Sequence, residues 1–214
     1  GAADPGEGVA VLFLGQRKTA TADLSGRWQV KLDAIPAGGP FVMTVSGKNT
    51  IKVADVLVGE VWLGSGQSNM TWRVGSSQDA ENEISRADHP QIRFSEKPCV
   101  SERGEDCRHF TGKWVVVSPR SARHFSAMAY YFGRKLHREL KVPVGLIVRA
   151  VGGTPTVDWV APQAPAEPAA KPFVESWEKA GRKPPRWGTF FQTWVAPVIP
   201  YAIRGVIWDQ GESG

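Results

Sequence analysis

Three glycine-containing loops hold the residues of this sequence best suited to chemistry. They are Gly64-Ser65-Gly66-Gln67-Ser68-Asn69-Met70, Gly152-Gly153-Thr154 and Gln210-Gly211-Glu212-Ser213. A serine hydroxyl exposed at the end of a strand can act as a nucleophile, and paired glycines let a backbone N–H approach a substrate closely. A glutamine amide can donate a hydrogen bond to a developing oxyanion without carrying charge. If the three loops lie close together, these residue types could carry out acyl transfer, with Ser68 as the nucleophile and the other two loops as hydrogen-bond donors.

Each loop also has a simpler interpretation when it is taken alone. Ser68 could be the N-cap of a helix, which is a common use of serine at such a position. The glycines of the second and third loops could belong to ordinary turns. The pattern of any single loop leaves both alternatives open.

The elements around these loops indicate an α/β fold. Apolar runs typical of strands occur at 58–63, 91–94, 113–117, 144–148 and 205–208, and helical patterns occur at 78–87 and 124–140. The second helix has its apolar residues at helical spacing: Phe125, Met128, Ala129, Phe132, Leu136 and Leu140. Alternating strands and helices predict a mostly parallel sheet covered on both faces. Loops at the carboxyl ends of such strands meet in one crevice, so we expect the three loops to converge.

The N-terminal residues have a different pattern. Short apolar or alternating runs at 9–14, 28–32, 41–45 and 51–56 are separated by turn residues, which predicts antiparallel strands. We therefore expect two domains, a small β module over residues 1–57 and an α/β domain over 58–214. Within the latter, the Pro- and Ala-rich residues 162–172 are predicted to form a surface loop.

Composition excludes several classes of function. The 26 basic and 21 acidic residues are scattered, so the net charge of +5 does not indicate a nucleic-acid partner. No apolar run approaches the roughly 20 residues of a membrane span. Cys99 and Cys107 lie in a polar stretch and could form a disulfide, which would suit a secreted or periplasmic protein, or could be two free thiols. His109 nearby supplies only one more ligand type and no second paired motif is present, so the two cysteines do not indicate a metal site.

The order and spacing of the three loops resemble those of the sialate O-acetylesterase family. The similarity runs from about Ala10 to the end of the chain and includes Asp55-Val56-Leu57-Val58-Gly59-Glu60-Val61-Trp62 and Phe125-Ser126-Ala127. These enzymes are SGNH-type hydrolases and are similar to acetylxylan esterases. The resemblance implies a three-layer SGNH-like parallel sheet flanked by helices, with the small antiparallel β module at its N-terminal side.

The resemblance also implies roles for individual residues. Ser68 matches the nucleophile, and its own N–H, the backbone of Gly152 and Gly153 and the side chain of Gln210 match the oxyanion-hole donors. Asn69, Trp72 and Glu212 are expected to contact substrate. The tryptophans near predicted loops could stack on sugar rings or could simply pack in the core: Trp72, Trp159, Trp187 and Trp194.

The implied reaction is removal of O-acetyl groups from sialic acid or from an acetylated polysaccharide such as acetylxylan, through an acetyl-Ser68 intermediate. It needs no cofactor or metal. The expected location is secreted or periplasmic, or lysosomal in a eukaryote.

The sequence departs from the family in the residues that should activate the serine. The family takes its catalytic Asp and His from a motif well downstream of the Gln-Gly-Glu segment, beyond Gly214. We do not expect any of the four histidines to replace that base: His89, His109, His124 and His137. A second chain or fragment is therefore expected to supply the Asp and His, and the alternative is a truncated, non-catalytic glycan-binding relative.

Smaller departures affect the surroundings of the loops. Thr71 stands where an acidic residue is common, Asp209 where an aromatic residue or His is common, and Gly214 where Asn or Asp is common. A lipase or thioesterase would need an apolar acyl groove, which the polar loops around Ser68 do not favour.

Overall fold

The chain folds into two compact units. This computed structural model describes residues 1–95, 113–181, 187–199 and 201–211. The first unit contains Gly1–Gly59 together with Lys141–Pro143, and the second contains Glu60–Leu140 together with Val144–Gly214. The chain thus enters the second unit two residues after the predicted division.

The first unit is a four-stranded antiparallel sheet. Its strands are β1 (Gly8–Phe13), β2 (Gln16–Thr21), β3 (Gly38–Ser46) and β4 (Thr50–Val58). They lie in the order β2-β1-β3-β4. Leu14 and Gly15 form the two-residue loop between β1 and β2, and both have positive φ, 46° and 79°. Such a turn matches the right-handed twist of the strands it joins.

The prediction of a strand at 28–32 is wrong. Trp28, Val30 and Leu32 are half-buried and Gln29 and Lys31 are exposed, but this segment makes no strand. Alternating apolar residues predict which side chains turn inward, whereas a strand also needs a backbone partner.

The sheet instead contains a strand that the sequence pattern did not reveal. Strand β2 is polar, and its residues alternate between half-buried and exposed at the edge of the sheet. Because an edge strand buries little, its sequence need not be apolar.

The second unit is built on a five-stranded sheet. Its strands are β5 (Glu60–Gly66), β6 (His89–Ser95), β7 (Val115–Val117), β8 (Val144–Ala150) and β9 (Gly205–Asp209). They lie in the order β7-β6-β8-β5-β9. The pairs β6–β8, β5–β8 and β5–β9 are parallel, and within the described strands of this sheet only the β6–β7 pair is antiparallel. The predicted α/β fold with a mostly parallel sheet is confirmed.

Four α-helices accompany this sheet in the described residues: α1 (Ser68–Thr71), α2 (Ala80–Ser85), α3 (Ala127–Leu140) and α4 (Lys171–Lys179). One core cluster contains the fully buried Phe94, Tyr130 and Leu146. A smaller cluster contains Leu63, Ile147 and Val198. Because successive residues of β8 belong to different clusters, this strand is buried on both faces, as expected for a central parallel strand.

Helix α3 packs on the core through most of the predicted face, because Ala129, Phe132 and Leu136 belong to or contact the core cluster, but the two predicted residues Met128 and Leu140 do not. Met128 and Leu140 are 39% and 49% exposed, whereas Tyr130 and Gly133 are buried. A Cβ at Gly133 would lie only 2.5 Å from Leu146 Cδ1, so the helix approaches β8 more closely than a side chain would allow. The helix begins three residues later than predicted, after Ser126, whose hydroxyl accepts a capping hydrogen bond from the Ala129 N–H at 3.2 Å.

The segment between β8 and β9 contains more regular structure than the predicted surface loop. Short 3₁₀ turns occur at Thr156–Trp159, Ala164–Ala166, Pro168–Ala170 and Ala196–Val198, and a π-helical turn occurs at Phe191–Val195. Residues 162–172 contain no buried side chain, so the segment does lie at the surface.

None of the helices in the described ranges has the length and apolar character needed to cross a membrane. Cys99, Cys107 and His109 lie outside the described residues, as do Glu212, Ser213 and Gly214.

Candidate active site

The three loops begin at the same level of the sheet. Gly66 at the end of β5 is paired with Ala150 at the end of β8 and with Asp209 at the end of β9. Since the three strands are adjacent and parallel, Ser68, Gly152 and Gln210 each follow this level by one or two residues. The predicted convergence of the loops is therefore present.

Backbone hydrogen bonds join the loops at this level. The Gln67 N–H donates to the Asp209 carbonyl at 3.0 Å, and the Val151 N–H donates to the Gly66 carbonyl at 3.2 Å. A Cβ on Gly66 would lie 1.8 Å from the Asp209 oxygen, and Gly66 has a φ of 132° that favours glycine. The turn that leads to Ser68 therefore depends on the absence of a side chain at position 66.

Ser68 is solvent-exposed and is the first residue of α1. The N-cap position belongs to Gln67, without a capping side chain, so the interpretation of Ser68 as a helix cap is wrong. No described side chain makes a hydrogen bond to the Ser68 hydroxyl. The Ser68 carbonyl accepts a hydrogen bond from the Thr71 hydroxyl at 2.9 Å, which ties the short helix back to its first residue.

The paired glycines lie beside Ser68. A Cβ on Gly152 would lie 3.7 Å from both Cα and Cβ of Ser68, so the two backbones are close to van der Waals contact. Gly153 has a φ of 75°, which favours glycine, and open space lies where its Cβ would be. Both glycines are exposed, so their N–H groups belong to a solvent-accessible turn next to the serine.

Gln210 connects the third loop to the second. Its Nε2 donates a hydrogen bond to the Thr154 carbonyl at 2.5 Å, and its Oε1 is buried without a hydrogen-bond partner among the described residues. An amide nitrogen carries two hydrogens, so one N–H remains for another acceptor. Gln210 is thus fixed against the glycine loop and still has a donor to offer.

Two of the described histidines lie near the amino ends of the parallel strands, at the end of the sheet opposite the three loops. His89 begins β6, and His137 lies near the end of α3 that leads into the start of β8. Burial lowers the pKa of His89, and the neighbouring charges of Arg138, Arg134 and His137 lower it further. A histidine at the amino ends of the strands is not positioned to accept the Ser68 proton.

His124 is exposed in the 3₁₀ turn that precedes α3, and its carbonyl accepts a hydrogen bond from Arg73. None of the described histidines is hydrogen-bonded to Ser68. The described residues therefore hold a serine and neutral donors without a histidine hydrogen-bonded to the serine.

The residues predicted to contact substrate differ in their exposure to solvent. Asn69 follows Ser68 and is exposed, and Trp72, just after α1, is 56% exposed with its Nε1 donating to the Ser76 carbonyl. Glu212 lies outside the described residues. Trp159 is only 5% exposed, so the interpretation of this ring as a sugar-stacking face is wrong. Trp187 and Trp194 are half-buried.

Sequence reasoning missed the residue that links two of the loops. In the sequence Thr154 simply follows the glycine pair, yet in the structure its hydroxyl donates to the Val151 carbonyl and accepts from Trp159 Nε1, each at 2.8 Å. The one available signal was a threonine directly after two glycines with a tryptophan five residues further on.

Metal ligands are not gathered at this site. Within the described ranges, no three His, Cys, Asp or Glu side chains come close enough together to hold a metal ion. The chemistry that the arrangement can support is hydroxyl attack on a neutral carbonyl, with stabilisation of the resulting oxyanion by uncharged donors.

Comparisons with known proteins point in the same direction. The sequence model of a family described as carbohydrate esterase, sialic acid-specific acetylesterase, matches residues 58–214. Sialate O-acetylesterases from Pongo abelii and Homo sapiens are 31% and 32% identical to the chain over 98% and 92% of its length. The crystal structure of a carbohydrate acetylesterase from Xanthomonas citri matches all of the chain with a TM-score of 0.83 and 32% identity. The chain covers 44%, 40% and 46% of these three proteins, so it spans less than half of their length.

The close approach of Gly66 to Asp209 yields a testable prediction. We expect Gly66→Ala to lower the free energy of unfolding by about 3 kcal/mol or more, because the new methyl group would overlap a backbone oxygen and the backbone would be strained. Urea unfolding followed by tryptophan fluorescence measures the change. Gly8→Ala is the matched control, since a Cβ there meets open space, and we expect a change within about 0.5 kcal/mol. An unchanged urea midpoint for Gly66→Ala would mean that this contact does not constrain the turn.

Proposed function

The chain belongs to the sialic acid-specific acetylesterase family of carbohydrate esterases, and from this membership we propose that it carries the nucleophile and oxyanion hole of a serine esterase that deacetylates carbohydrates. The observation that carries the proposal is the arrangement of Ser68, Gly152 and Gln210 just beyond the ends of three adjacent parallel strands. A nucleophile with neutral donors around it is what acyl transfer from an ester requires.

The proposed reaction has two halves. The Ser68 hydroxyl loses its proton to a general base and attacks the acetyl carbonyl, and the resulting oxyanion accepts hydrogen bonds from nearby donors. These are the N–H of Ser68, the backbone N–H groups of Gly152 and Gly153, and the remaining N–H of Gln210. The sugar oxygen then leaves with a proton, and water hydrolyses acetyl-Ser68 to acetate.

The base is proposed to come from polypeptide outside residues 1–214. A serine hydroxyl at its ordinary pKa is a weak nucleophile and needs a base within hydrogen-bond distance. The placement of His89 and His137 at the far edge of the sheet supports an external source. A second chain or fragment with a His and an Asp would complete the site.

The substrate is proposed to be an O-acetylated carbohydrate, either an O-acetyl ester of sialic acid or an acetylated polysaccharide such as acetylxylan. The relatives named above are sialate O-acetylesterases and a carbohydrate acetylesterase. The exposed indole of Trp72 lies four residues after the nucleophile and could stack on a sugar ring, as tryptophans often do with one face open. Asn69, next to Ser68, and Glu212 are proposed to bind substrate hydroxyl groups.

A secreted, periplasmic or lysosomal location is proposed with this function. It fits a substrate found on glycans outside the cytoplasm, and such a location would permit Cys99 and Cys107 to form a disulfide.

Covalent labelling of Ser68 tests the nucleophile. We expect a serine-directed organophosphonate to label Ser68 in protein isolated from its natural source, together with any copurifying fragment, and to label the 214-residue chain alone far more slowly because the base is absent. Intact-mass analysis measures labelling and identifies a second fragment, and hydrolysis of p-nitrophenyl acetate measures activity. Ser68→Ala should abolish labelling, while Ser76→Ala, at an exposed serine outside the site, should retain it. A source preparation that stays unlabelled would instead indicate a non-catalytic glycan-binding protein.

Removal of the Gln210 amide tests the oxyanion hole. In the active preparation we expect Gln210→Ala to lower kcat by about 10²–10³-fold, the typical loss for one oxyanion donor, with a small change in KM. Gln29→Ala, at an exposed position in the first unit, is the control for loss of a glutamine side chain. Full turnover by purified Gln210→Ala would remove Gln210 from the oxyanion hole.

A further inference from the structure

Thr154 is placed at the centre of the contacts between the second and third loops. It is only 6% exposed, and both its side chain and its carbonyl make hydrogen bonds. The hydroxyl donates to the Val151 carbonyl at 2.8 Å and accepts from Trp159 Nε1 at 2.8 Å, and the carbonyl accepts from Gln210 Nε2 at 2.5 Å. One residue therefore closes the glycine turn and contacts the amide of the neighbouring loop.

The partner of the Thr154 hydroxyl is itself firmly held. The Trp159 ring stacks on Phe190 with centroids 5.2 Å apart and an interplanar angle of 21°. It also makes edge contacts with Trp194 and Trp208, each at 6.2 Å. Trp208 belongs to β9, two residues before Gln210. The same buried indole thus packs against the strand that leads to Gln210 and donates a hydrogen bond to the loop that contains Gly152 and Gly153.

The Thr154 carbonyl also determines which way the Gln210 amide points. A carbonyl oxygen accepts hydrogen bonds, so it selects the Nε2 end of the amide and excludes the Oε1 end. With one Nε2 hydrogen bonded to Thr154, the direction of the other is fixed by the planar geometry of the amide. A carbonyl that moved with a loosened loop would let this second N–H change direction.

We propose that Thr154, held by Trp159, is a positioning residue that aligns the Gln210 amide and the Gly152–Gly153 turn for stabilisation of the oxyanion. This inference rests on the proposed esterase function and assigns to Thr154 no contact with substrate. Its physical basis is that a buried, doubly hydrogen-bonded hydroxyl restrains the loop, and that donors contribute fully only when they are held in place before the reaction.

Kinetics of variants at position 154 separate positioning from general stability. Thr154→Val keeps the shape of the side chain but leaves Trp159 Nε1 without its acceptor. In the active preparation we expect kcat to fall by about 10²-fold with KM nearly unchanged, the scale of loss caused by a shift of about 1 Å in a catalytic group. Thr154→Ser keeps the hydroxyl and should restore kcat to within a few-fold of the parent.

The control removes a hydrogen bond between side chains elsewhere in the second unit. The Tyr130 hydroxyl donates to Glu83 at 2.7 Å, away from the three loops. Tyr130→Phe therefore removes a side-chain hydrogen bond and leaves the hydrogen bonds of the loops unchanged. We expect Tyr130→Phe to lower thermal stability while its folded fraction keeps the parent kcat. If Thr154→Val does not fold, Trp159→Phe serves in its place, because it removes the Nε1 donor and keeps an aromatic ring, although a smaller one, in the cluster.

Hydrogen exchange provides a readout that does not depend on esterase activity. We expect the amides of residues 151–154 and the side-chain amide of Gln210 to exchange faster in Thr154→Val than in the parent and Thr154→Ser chains. A parent preparation without esterase activity would defeat the proposed function, while the exchange result would still report on the restraint. Parent-like kcat and exchange in Thr154→Val, or a Thr154→Ser variant as impaired as Thr154→Val, would overturn the proposal.

Discussion

The contact between Gly66 and the Asp209 carbonyl determines where every other part of the site can lie. Strand β5 passes so close to β9 that no Cβ fits at position 66, and this closeness allows the Gln67 N–H to reach Asp209. On the other side, the Val151 N–H bonds to Gly66. Because these are backbone bonds between adjacent parallel strands, they bring the residues that follow each strand together whatever their side chains are. Ser68, Gly152 and Gln210 occupy those following positions.

The site has an exposed layer above a buried one. Ser68, Gly152 and Gly153 are open to solvent, while Thr154 and Trp159 lie beneath them and are nearly fully buried. The proposed donors are all uncharged, which suits an oxyanion that forms only transiently, since neutral dipoles need no counter-charge in the resting state. In the proposed site, the exposed residues would contact substrate, and the buried hydrogen bonds would keep them aligned. The proposed reaction also needs a base, and none of the described histidines is hydrogen-bonded to Ser68.

Much of this could be predicted from the sequence, and the exceptions have physical reasons. Central strands such as β8 are buried on both faces and therefore appear as continuous apolar runs, and parallel strands predict convergence of their carboxyl-end loops. Burial alternates over 28–32 as predicted, but the pattern could not tell that the backbone lacks a strand partner. The buried face of α3 was predicted only in part, because Gly133 has no side chain to count as apolar and yet its Cβ position would lie only 2.5 Å from Leu146 in β8. The Thr154–Trp159 bond depends on the 3₁₀ turn at Thr156–Trp159, which no periodicity reveals.

The most direct test of the oxyanion arrangement is a crystal structure of the active preparation after reaction with an organophosphonate, whose tetrahedral phosphorus mimics the intermediate. We predict a covalent bond to Ser68 Oγ, with the phosphonyl oxygen about 2.7–3.1 Å from the Ser68 N–H nitrogen, from a backbone nitrogen of Gly152 or Gly153, and from Gln210 Nε2. An adduct on Ser68 whose phosphonyl oxygen points into solvent, away from Gly152 and Gln210, would contradict the proposed site.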